Sequence, residues 1–403
     1  MKVLGFCEGA RDDAGGIGLI GVPGIHRALA GRGHQDGLVI AGHPMPSALP
    51  MLRQNLSEIF DSQDSSATGV VCFPAYGRWY FSPRLYSEAA PFARDADFLT
   101  MHSLYSYPVL AGYLLARRYR KPYGVWPHGV LAPVQRVVSA RKKAVYGIAL
   151  AHRILASASI LFYSAEGERE EARVLGLTAP SLVVPHGIDV SQFASLPEFG
   201  MFRDKYLDRH RGPLVLYLGR LNTKKGLDLL VDAMARVLRE VPDAKLAIAG
   251  GGHPPEFVDG VRGWIAAAGL AHACVITGIL DETDKRAALA DCDVFVLPSA
   301  AENFGFSMFE AMACRRAVVC SDTLNYADEI RRRDAGVVVP RTPEALSRAI
   351  GVLLTDAGRR MELGENGRRL AESYSWESCG QRVEAAIESV LASQPFHASL
   401  RPA

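Results

Sequence analysis

The chain has 403 residues, of which 49% are hydrophobic and 22% charged, and its formal net charge is +2. This length predicts two or three domains with a substantial core, and the near-neutral charge gives no sign of a nucleic-acid-binding protein. The seven cysteines form no CxxC pair, which argues against a disulfide framework or a structural zinc site. No signal-peptide pattern or apolar run of membrane-spanning length is present, so we expect a cytoplasmic protein.

The first half alternates apolar, strand-like runs with helical segments. Strands are predicted at 2–6, 38–41, 69–73, 97–101, 122–126, 160–164 and 181–185, and helices at 19–30, 105–119 and 135–156. Repeated strand–helix units of this kind indicate a parallel sheet with helices on both faces.

The alternation breaks between Asp189 and Pro213 and then resumes. Strands of the second series are predicted at 214–218, 245–249, 275–278, 294–297, 317–320 and 336–339, with a helix at about 343–372 and a last one at 376–391. We therefore expect an N-terminal Rossmann-like domain at 1–190, a linker at 191–212, a C-terminal Rossmann-like domain at 213–375 and a closing helix at 376–395. Because ligands bind beyond the carboxyl ends of parallel strands, the default site is a cleft between the two domains.

The stretch from Pro298 to Asp322 joins two predicted strands through a loop and a helix. It places Glu302 just before the helix and Glu310 about two turns into it, on roughly the same side. The amides of residues 303–305 lie at the helix N-terminus, where an anion is favoured. From spacing alone, a binding site and an ordinary strand–helix–strand unit with a capping and a surface glutamate both stay open.

Two cations, Arg220 and Lys225, follow the first strand of the second series within the segment Gly219–Gly226. A guanidinium fork and an ammonium beside a helix N-terminus are suited to binding a diphosphate. The segment lacks the order of a Walker A loop, which disfavours simple NTPase chemistry. A solvated basic turn is the alternative.

A glycine pair, Gly15-Gly16, follows the first predicted strand and precedes a helix. It would let the backbone approach a phosphate or a sugar, although a tight turn is the simpler interpretation. The GxGxxG fingerprint is absent and no acidic residue closes the second strand, so a nicotinamide-dependent enzyme is poorly supported.

Two histidines, His102 and His128, each directly follow a predicted strand of the first domain. Either could hydrogen-bond a sugar hydroxyl or serve in acid–base chemistry. His186, in the turn that ends the last strand of this domain, is interpreted as structural.

The predicted helix at 135–156 is basic and amphipathic, with Arg136, Arg141, Lys142 and Lys143 among apolar residues. A solvated helix face explains this pattern, and so does attachment to an anionic membrane surface.

Together these motifs resemble the retaining GT-B glycosyltransferases of glycosyltransferase family 4. The segment Glu302–Glu310 matches the family's E-x7-E motif, Gly219-Arg220 with Lys225-Gly226 its diphosphate clamp, and Gly15-Gly16 its glycine loop. The turn at 184–189 is similar to the family's PNGVD turn, with His186 in place of the asparagine. The resemblance implies an α/β GT-B fold, in which two Rossmann-like domains face a central cleft and a C-terminal helix returns to the N-terminal domain.

The resemblance also implies roles on the donor side. Arg220 and Lys225 would hold the diphosphate and stabilise it as a leaving group. Glu310 would accept hydrogen bonds from the ribose hydroxyls, and Glu302 would face the transferred sugar. The sugar or phosphate would also be contacted by the backbone amides of Asn303, Phe304 and Gly305.

On the other side, Gly15 and Gly16 would let the first domain close on the diphosphate. His128 would contact the transferred sugar or the acceptor, and His102 would lie near the acceptor. The residues implied in catalysis are therefore Glu302, His128, Arg220 and Lys225, and no metal is implied.

The activity implied is retaining transfer of a hexosyl group from a UDP- or GDP-sugar to a hydroxyl, with a lipid-linked or surface glycan as acceptor. We expect front-face displacement, in which the leaving phosphate takes the acceptor proton. A cytoplasmic enzyme in peripheral contact with the inner face of the plasma membrane would suit such an acceptor. The alternatives are an inactive nucleotide-sugar-binding subunit and another GT-B enzyme, such as a nucleotide-sugar epimerase.

The sequence departs from the family pattern just beyond Glu310. Where the family has G-x-P-V, this chain has Arg315-Arg316-Ala317-Val318, without the usual glycine and proline. The segment 324–330 also differs from the commoner glycine-rich version.

Overall fold

The computed structural model describes residues 1–9, 20–42, 68–77, 79–131, 150–252 and 254–393. These residues divide into two compact units. Unit 1 takes the described residues up to Gly187 together with those from Trp376 onward, and unit 2 runs from Ile188 to Ser375.

Unit 1 has the alternating strands and helices of a doubly wound domain. Its elements are β1 (Lys2–Glu8), α1 (Val22–Ala30), β2 (Gln35–Ala41), β3 (Thr68–Phe73), α2 (Leu85–Asp95), β4 (Phe98–His102), α3 (Tyr107–Tyr119), β5 (Tyr123–Trp126), α4 (His152–Ala156), β6 (Ile160–Tyr163), α5 (Glu166–Arg173), β7 (Ser181–Val183) and, from the end of the chain, α14 (Trp376–Ser393). Within the described ranges the strands form one parallel sheet in the order β3-β2-β1-β4-β5-β6-β7.

Helix α2 was not predicted from the sequence. Its buried residues Leu85, Ala89 and Ala93 recur every four positions, as a helix packed on a sheet requires. Two of the three are alanines and Pro91 lies inside the helix, so the apolar periodicity is weak. Packing against α3 therefore decides the conformation of this segment more than local preference does.

Helix α14 completes the core of unit 1. Cys379, Val383 and Ile387 recur at four-residue spacing and pack with residues of α1 and of the sheet. At the start of the helix the Trp376 ring lies against Gly24, where an added Cβ would be only 2.3 Å from it. The closing helix predicted at 376–395 is thus observed at Trp376–Ser393, packed on α1 within this unit.

Unit 2 repeats the doubly wound pattern. Its elements are a 3₁₀ turn (Val190–Phe193), α6 (Met201–Tyr206), β8 (Leu214–Leu218), a second 3₁₀ turn (Thr223–Lys225), α7 (Leu227–Glu240), β9 (Lys245–Ala249), α8 (Phe257–Ala267), β10 (Cys274–Gly278), α9 (Glu282–Asp291), β11 (Val294–Leu297), α10 (Phe306–Ala313), β12 (Ala317–Ser321), α11 (Ala327–Arg332), β13 (Val337–Val339), α12 (Pro343–Thr355) and α13 (Ala357–Glu372). The described strands form a parallel sheet in the order β10-β9-β8-β11-β12-β13.

The helix predicted at 343–372 is in fact two helices. Asp356 separates them, ending α12 and capping α13, where its Oδ1 accepts a hydrogen bond of 2.9 Å from the amide of Arg359. The short polar side chain that caps the second helix is the local signal for this break.

The segment 191–212, expected as a linker, lies within unit 2. Its Arg203 is buried and donates from Nη2 to the carbonyl oxygen of Asp291 at 2.7 Å. The Asp291 carboxylate in turn accepts from the amides of Gly200, at 2.7 Å, and Arg203, at 3.0 Å. These hydrogen bonds fix the segment on α9, because a buried charged group that lost its hydrogen-bond partners would be strongly unfavourable.

Among the described helices, none combines the length and the apolar character needed to cross a bilayer.

The turn at Arg315, where the sequence leaves the family pattern, is a C-terminal helix cap. The amide of Arg315 donates to the carbonyl of Met312 and that of Arg316 to the carbonyl of Ala311, both at 2.9 Å, as in a Schellman motif. The motif requires a left-handed residue, and Arg315 has a φ of 56°. The turn therefore keeps the shape that glycine favours, at the conformational cost of a non-glycine residue.

We expect Arg315→Gly to raise the free energy of unfolding by up to about 1 kcal/mol, because glycine adopts positive φ without the steric cost. The ion pair that it removes, Arg315–Glu365, is exposed and contributes little. Urea unfolding followed by far-UV circular dichroism measures the change.

Gly364→Ala, at a glycine that packs against Arg315, is the comparison variant and should be less stable than the parent chain. An added Cβ there would lie 2.3 Å from the carbonyl oxygen of Arg315, so this variant should lose about 1–3 kcal/mol. A clear loss of stability in Arg315→Gly would contradict the strain interpretation.

Candidate active site

The residues predicted to bind the donor lie where the strand order of the unit 2 sheet reverses. Strands β9 and β10 extend the sheet on one side of β8, and β12 and β13 extend it on the other side of β11. The loops after β8 and β11 therefore begin at the switch point where doubly wound sheets bind ligands. The first loop contains Arg220 and Lys225, and the second contains Glu302.

The two loops are packed directly against each other. Gly226 has a φ of 65°, and a Cβ on it would be 2.4 Å from the carbonyl oxygen of Pro298. The amide of Ala300 donates to the carbonyl of Lys224 at 2.7 Å, and the Oδ1 of Asn222 caps the intervening 3₁₀ turn. Glycine is needed at 226 for both the left-handed conformation and the close approach.

Lys225 and Glu302 form an ion pair, Nζ to Oε1, across these loops. Both side chains are 15% exposed, so the pair is largely shielded from solvent. Arg220 is exposed and makes no ion pair with any residue in the described ranges. The structure thus brings Lys225 and Glu302 together and leaves the Arg220 guanidinium available to an anion.

The segment from Asn303 to Gly305 leads into α10. Gly305, at φ 83°, directly precedes Phe306, and amides of a first helical turn have no acceptor within the helix. Phe304 anchors the segment by packing in an aromatic cluster with Phe309, at 4.3 Å between ring centroids, and with Tyr326 and Tyr374. The Phe304 side chain therefore anchors the segment to the core of unit 2, and the role of the backbone amides in ligand binding stays a prediction.

The loop after β12 also supports this segment. Asn325 donates from Nδ2 to the carbonyl oxygen of Glu302 at 3.0 Å, and Thr323 donates to the carbonyl oxygen of Ser299 at 3.2 Å. The departure from the family's glycine-rich pattern at 324–330 thus includes a side chain that fixes the backbone of the first motif glutamate.

Glu310 is buried, which contradicts the alternative that it is a surface residue. Its Oε1 accepts from the Nζ of Lys285, on α9, at 3.0 Å, and Lys285 also pairs with Glu282 at 2.9 Å. Burial opposes the charge on Lys285, but the Glu310 and Glu282 carboxylates outweigh it and raise the pKa of its ammonium. Sequence reasoning missed Lys285, because a lysine in a charged helix start gives no sign of its partner.

Gly15 and Gly16 lie outside the described residues, and so do Arg136, Arg141, Lys142 and Lys143. Their expected roles stay predictions. In the described part of the chain, no group of three or more histidine, cysteine, aspartate or glutamate residues could hold a metal ion.

In unit 1, the structure brings His102 and His128 together at the carboxyl ends of β4 and β5. The Nδ1 of His102 lies 3.1 Å from the Nε2 of His128, and the rings are stacked. His102 is the last residue of β4 and is buried. His128 follows β5 with a φ of 52°, in the left-handed region that a non-glycine residue rarely adopts.

Two further residues, His26 and Asp36, extend this pair and were missed from the sequence. The Nε2 of His26 lies 2.9 Å from the Nε2 of His102, and its Nδ1 lies 2.9 and 3.0 Å from the Asp36 carboxylate oxygens. His26 is on α1 and Asp36 is at the start of β2, so only the packing of helix on sheet joins them. An apolar helix face that contains a histidine is the sole local signal.

A buried carboxylate, Glu168 of α5, holds the loop that contains His128. It accepts from the amide of Gly129 at 2.5 Å, and from the amide and hydroxyl of Ser164 at 2.8 and 2.7 Å. Burial raises the pKa of Glu168, although these hydrogen bonds oppose the rise. Glu168 was also missed, since a glutamate near a helix start reads as a solvated residue.

His186, interpreted as structural, is buried beside the same group. Its ring stacks on His128 at 5.5 Å between centroids and meets the edge of Trp376 at 6.3 Å. Burial lowers its pKa to about 4. Burial, together with the charges of neighbouring histidines, also lowers the pKa of His102 and His128 well below the usual value.

These lowered pKa values predict acid sensitivity. A histidine held neutral by the fold contributes stability above its unfolded pKa of 6.5, and this is lost as the pH falls toward its folded pKa, about 4 for His186. We expect His186→Asn, which restores the family's residue, to reduce the loss of unfolding free energy between pH 7.5 and pH 5 by about 2 kcal/mol.

Urea unfolding followed by tryptophan fluorescence measures this effect in unit 1, which contains Trp79, Trp126 and Trp376. His152→Asn is the matched control, because it makes the same substitution at an exposed position of the same unit. Equal acid sensitivity in His186→Asn and the parent chain would contradict the prediction.

Comparison with known families agrees with this arrangement in both halves of the chain. The family model for glycosyl transferases group 1 matches residues 200–370, and the model for the glycosyl transferase 4-like domain matches residues 21–187. The first range contains the clamp and both glutamates, and the second contains the histidine group.

Individual relatives match over shorter stretches. Phosphatidyl-myo-inositol mannosyltransferase from Mycobacterium tuberculosis is 32% identical over 54% of this chain and 56% of its own length. GDP-mannose-dependent alpha-(1-6)-phosphatidylinositol monomannoside mannosyltransferase from Mycolicibacterium smegmatis is 30% identical over 56% of this chain and 60% of its own length. The matched region thus spans just over half the length of these curated relatives.

The solved structure of Anabaena Alr3699/HepE in complex with UDP and glucose is similar across the whole fold. It aligns with a TM-score of 0.76 at 18% identity, and covers 96% of this chain and 100% of its own. The two parallel-sheet units are thus those of the GT-B fold, as expected. Because glycosyltransferase models match both halves and the fold agrees, the chain belongs to the GT-B glycosyltransferases of family 4, the glycosyl transferases group 1.

Proposed function

We propose that the chain is a retaining glycosyltransferase that moves a hexosyl group from a UDP- or GDP-sugar to a hydroxyl of a lipid-linked or surface glycan, by front-face displacement. The observation that supports this most is the arrangement at the switch point of unit 2. There Lys225 and Glu302 pair across two packed loops, Arg220 is exposed beside them, and Glu310 is buried behind.

The diphosphate would bind to Arg220 and Lys225. In the free protein the Lys225 ammonium is balanced by Glu302, and a donor diphosphate carries more negative charge than one carboxylate. Binding would therefore draw Lys225 toward the phosphates and leave Glu302 to face the transferred sugar. As the sugar–phosphate bond breaks, charge develops on the leaving oxygen, where two nearby cations stabilise it most.

The ribose would bind to Glu310. Lys285 contacts one oxygen of this carboxylate, Oε1, and no described residue donates to the other, Oε2. The second oxygen is therefore available to accept hydrogen bonds from a ligand. A diol presents two donors, so a carboxylate that an ammonium holds in place is a suitable partner.

The nucleotide base of the donor would lie near the loop that follows β10. Ile279, 67% exposed, lies next to Gly251 and offers an apolar surface for a planar ring. Neither residue distinguishes uracil from guanine. One relative is named for GDP-mannose and one similar structure contains UDP and glucose, so both nucleotides enter the test.

We propose that the reaction needs no metal ion, because Arg220 and Lys225 would supply the positive charge that a divalent cation provides in other sites. Transfer measured with and without a chelator tests this.

Thermal stabilisation by UDP, GDP and their sugars identifies the donor, since a ligand at 100 times its dissociation constant adds about 2.7 kcal/mol to the stability. With that donor we expect Arg220→Ala to lower the transfer rate roughly 10²–10³-fold, because it removes a charge that acts on the leaving group. Arg236→Ala is the control: Arg236 lies on α7 of the same unit, is partly exposed and pairs with Glu344.

The outcomes separate the alternatives. Donor binding without transfer would identify an inactive nucleotide-sugar-binding subunit, and epimerised donor would identify a nucleotide-sugar epimerase. An unchanged rate in Arg220→Ala would remove Arg220 from the proposed clamp. Inversion of the anomeric centre in the product would overturn the retaining mechanism.

We also propose a cytoplasmic location with peripheral contact to an anionic membrane, on the basis of the basic sequence around Arg141. The relatives named above act on phosphatidylinositol compounds according to their names, which suits an acceptor in a bilayer.

If this segment binds membranes, replacing Arg141, Lys142 and Lys143 with glutamine should reduce co-sedimentation with vesicles of phosphatidylglycerol and phosphatidylcholine, at about 1 kcal/mol for each charge. Vesicles of phosphatidylcholine alone are the control. Unchanged co-sedimentation of the triple variant would rule out this contact.

A further inference from the structure

Unit 1 contains a continuous row of one carboxylate and three imidazoles. It begins at the Asp36 carboxylate, passes through His26 and His102, and ends at His128, with nitrogen–oxygen or nitrogen–nitrogen distances of 2.9, 2.9 and 3.1 Å. We propose that this row is a proton relay that takes up the proton of a ligand hydroxyl at His128 and holds it between His26 and Asp36. The proposal deepens the proposed function and rests on it.

The direction of each hydrogen bond in the row follows from the Asp36 carboxylate at its start. An ionised Asp36 can only accept, so the Nδ1 of His26 must donate to it. In a neutral His26 the Nε2 is then an acceptor, which makes the Nε2 of His102 the donor in the next bond. The same rule leaves the Nδ1 of His102 as an acceptor, and His128 donates to it from Nε2.

The Nδ1 of His128 is therefore an acceptor at the free end of the row. It is buried, and no residue of the described ranges forms a hydrogen bond with it. A buried acceptor without a partner is unfavourable in the free protein. A bound hydroxyl that donates to this nitrogen would remove the penalty, which identifies a hydroxyl donor as the suitable ligand.

Addition of one proton at this nitrogen reverses both hydrogen bonds between the imidazoles. His128 then donates its Nε2 proton to the Nδ1 of His102, and His102 donates its own Nε2 proton to the Nε2 of His26. The extra proton ends between His26 and Asp36, either as an imidazolium–carboxylate pair or as a carboxylic acid with a neutral ring. The total charge of the row changes from −1 to 0, and each of the two middle proton transfers balances.

The environment favours this end point. Burial, first of all, lowers the pKa of His102 and His128, so neither ring retains the proton. Burial raises the pKa of Asp36, which makes that end the stronger base, while the His26 charge opposes this rise. His34, beside Asp36, and His186, beside His102 and His128, are the other titratable groups whose charges act on the row.

The row is also built into the fold. Gly5 on β1 makes room for His26, since a Cβ there would lie 2.4 Å from the ring atoms Cε1 and Nε2. The His102 ring stacks on Trp126 at 5.2 Å between centroids. The Thr100 hydroxyl lies 3.4 Å from the Nε2 of His26, farther than His102 does. These contacts hold the rings in line and exclude water from the middle of the row.

When a bound hydroxyl loses its proton, its O–H bond breaks with the electron pair left on the oxygen, and the proton forms a bond to the Nδ1 of His128. The row thus offers a destination within unit 1 for the proton of a ligand hydroxyl. His26, His102 and Asp36 are positioning residues here, since they act through His128.

Nitrogen-15 NMR of protein labelled in its histidines tests the relay without any substrate. Between pH 9 and pH 5 we expect His102 and His128 to exchange a proton on Nε2 for one on Nδ1, with one shared midpoint that His26 also shows. Independent midpoints for the rings, or no exchange of tautomers in the folded protein, would overturn the proposal.

Variants locate the basic end. Asp36→Asn should lower the proton affinity of the row at least ~tenfold, because it removes the charge that stabilises the proton. Asp97→Asn is the matched control, an exposed aspartate of the same unit that accepts a hydrogen bond from the amide of Lys2. His102→Phe keeps a ring on Trp126 but should uncouple His128 from His26. If a variant at a buried position does not fold, the nitrogen-15 titration of the histidines in the parent protein still tests the relay.

The pH dependence of kcat/KM completes the test. In an active enzyme, Asp36→Asn should shift its acidic limb to lower pH by the same amount as the NMR midpoint, and Asp97→Asn should not. If no sugar nucleotide is turned over but the rings still switch together, the proposed function fails and the relay stands. If the enzyme is active and the rings titrate separately, the relay fails and the proposed function stands.

Discussion

The proposed donor site depends on one close contact, the approach of the Gly226 backbone to the carbonyl oxygen of Pro298. It packs the loop after β8 on the loop after β11, at the point where the strand order of the unit 2 sheet reverses. Through it, a lysine at the end of one loop reaches a glutamate in the other. A side chain at 226 would force these loops apart, and the cation and the carboxylate would no longer share one site.

A second feature is the difference between the buried ionisable groups of the two units. Lys225 with Glu302 and Lys285 with Glu310 are pairs of opposite sign, so each partner compensates the charge of the other. In unit 1 burial lowers the pKa of the His102 and His186 imidazoles. The proposed roles differ accordingly, with anion binding in unit 2 and proton transfer in unit 1.

The sequence predicts much of this, for reasons that particular residues make clear. The parallel strands can be predicted from the sequence because they are buried on both faces and so appear as apolar runs. Candidate site residues can be predicted where each lies in a local motif, as do Glu302, Glu310, Arg220 and Lys225. His26 and Lys285 cannot be predicted in this way. Each acquires its role from a partner on another element, and a residue's partner across the fold leaves no trace in its own neighbourhood.

Local rules also failed in instructive places. Arg315 occupies a position that calls for glycine, yet the helix cap forms, since the hydrogen bonds of the Schellman motif offset the strain of a left-handed arginine. Helix α2 forms with a weak apolar pattern, because α3 provides the surface that it covers. In both cases the surrounding packing outweighs the preference of the individual residue.

The packing of α14 has a consequence for synthesis. Unit 1 is discontinuous: its core starts with Val3 and Ile25 and is completed by Val383 and Ile387, with all of unit 2 encoded between them. On the ribosome, unit 2 is therefore translated in full before the last helix of unit 1 exists. Until then α14 cannot pack on the α1 face that receives Trp376. The core of unit 1, whose first residues are translated first, is therefore the last to be completed.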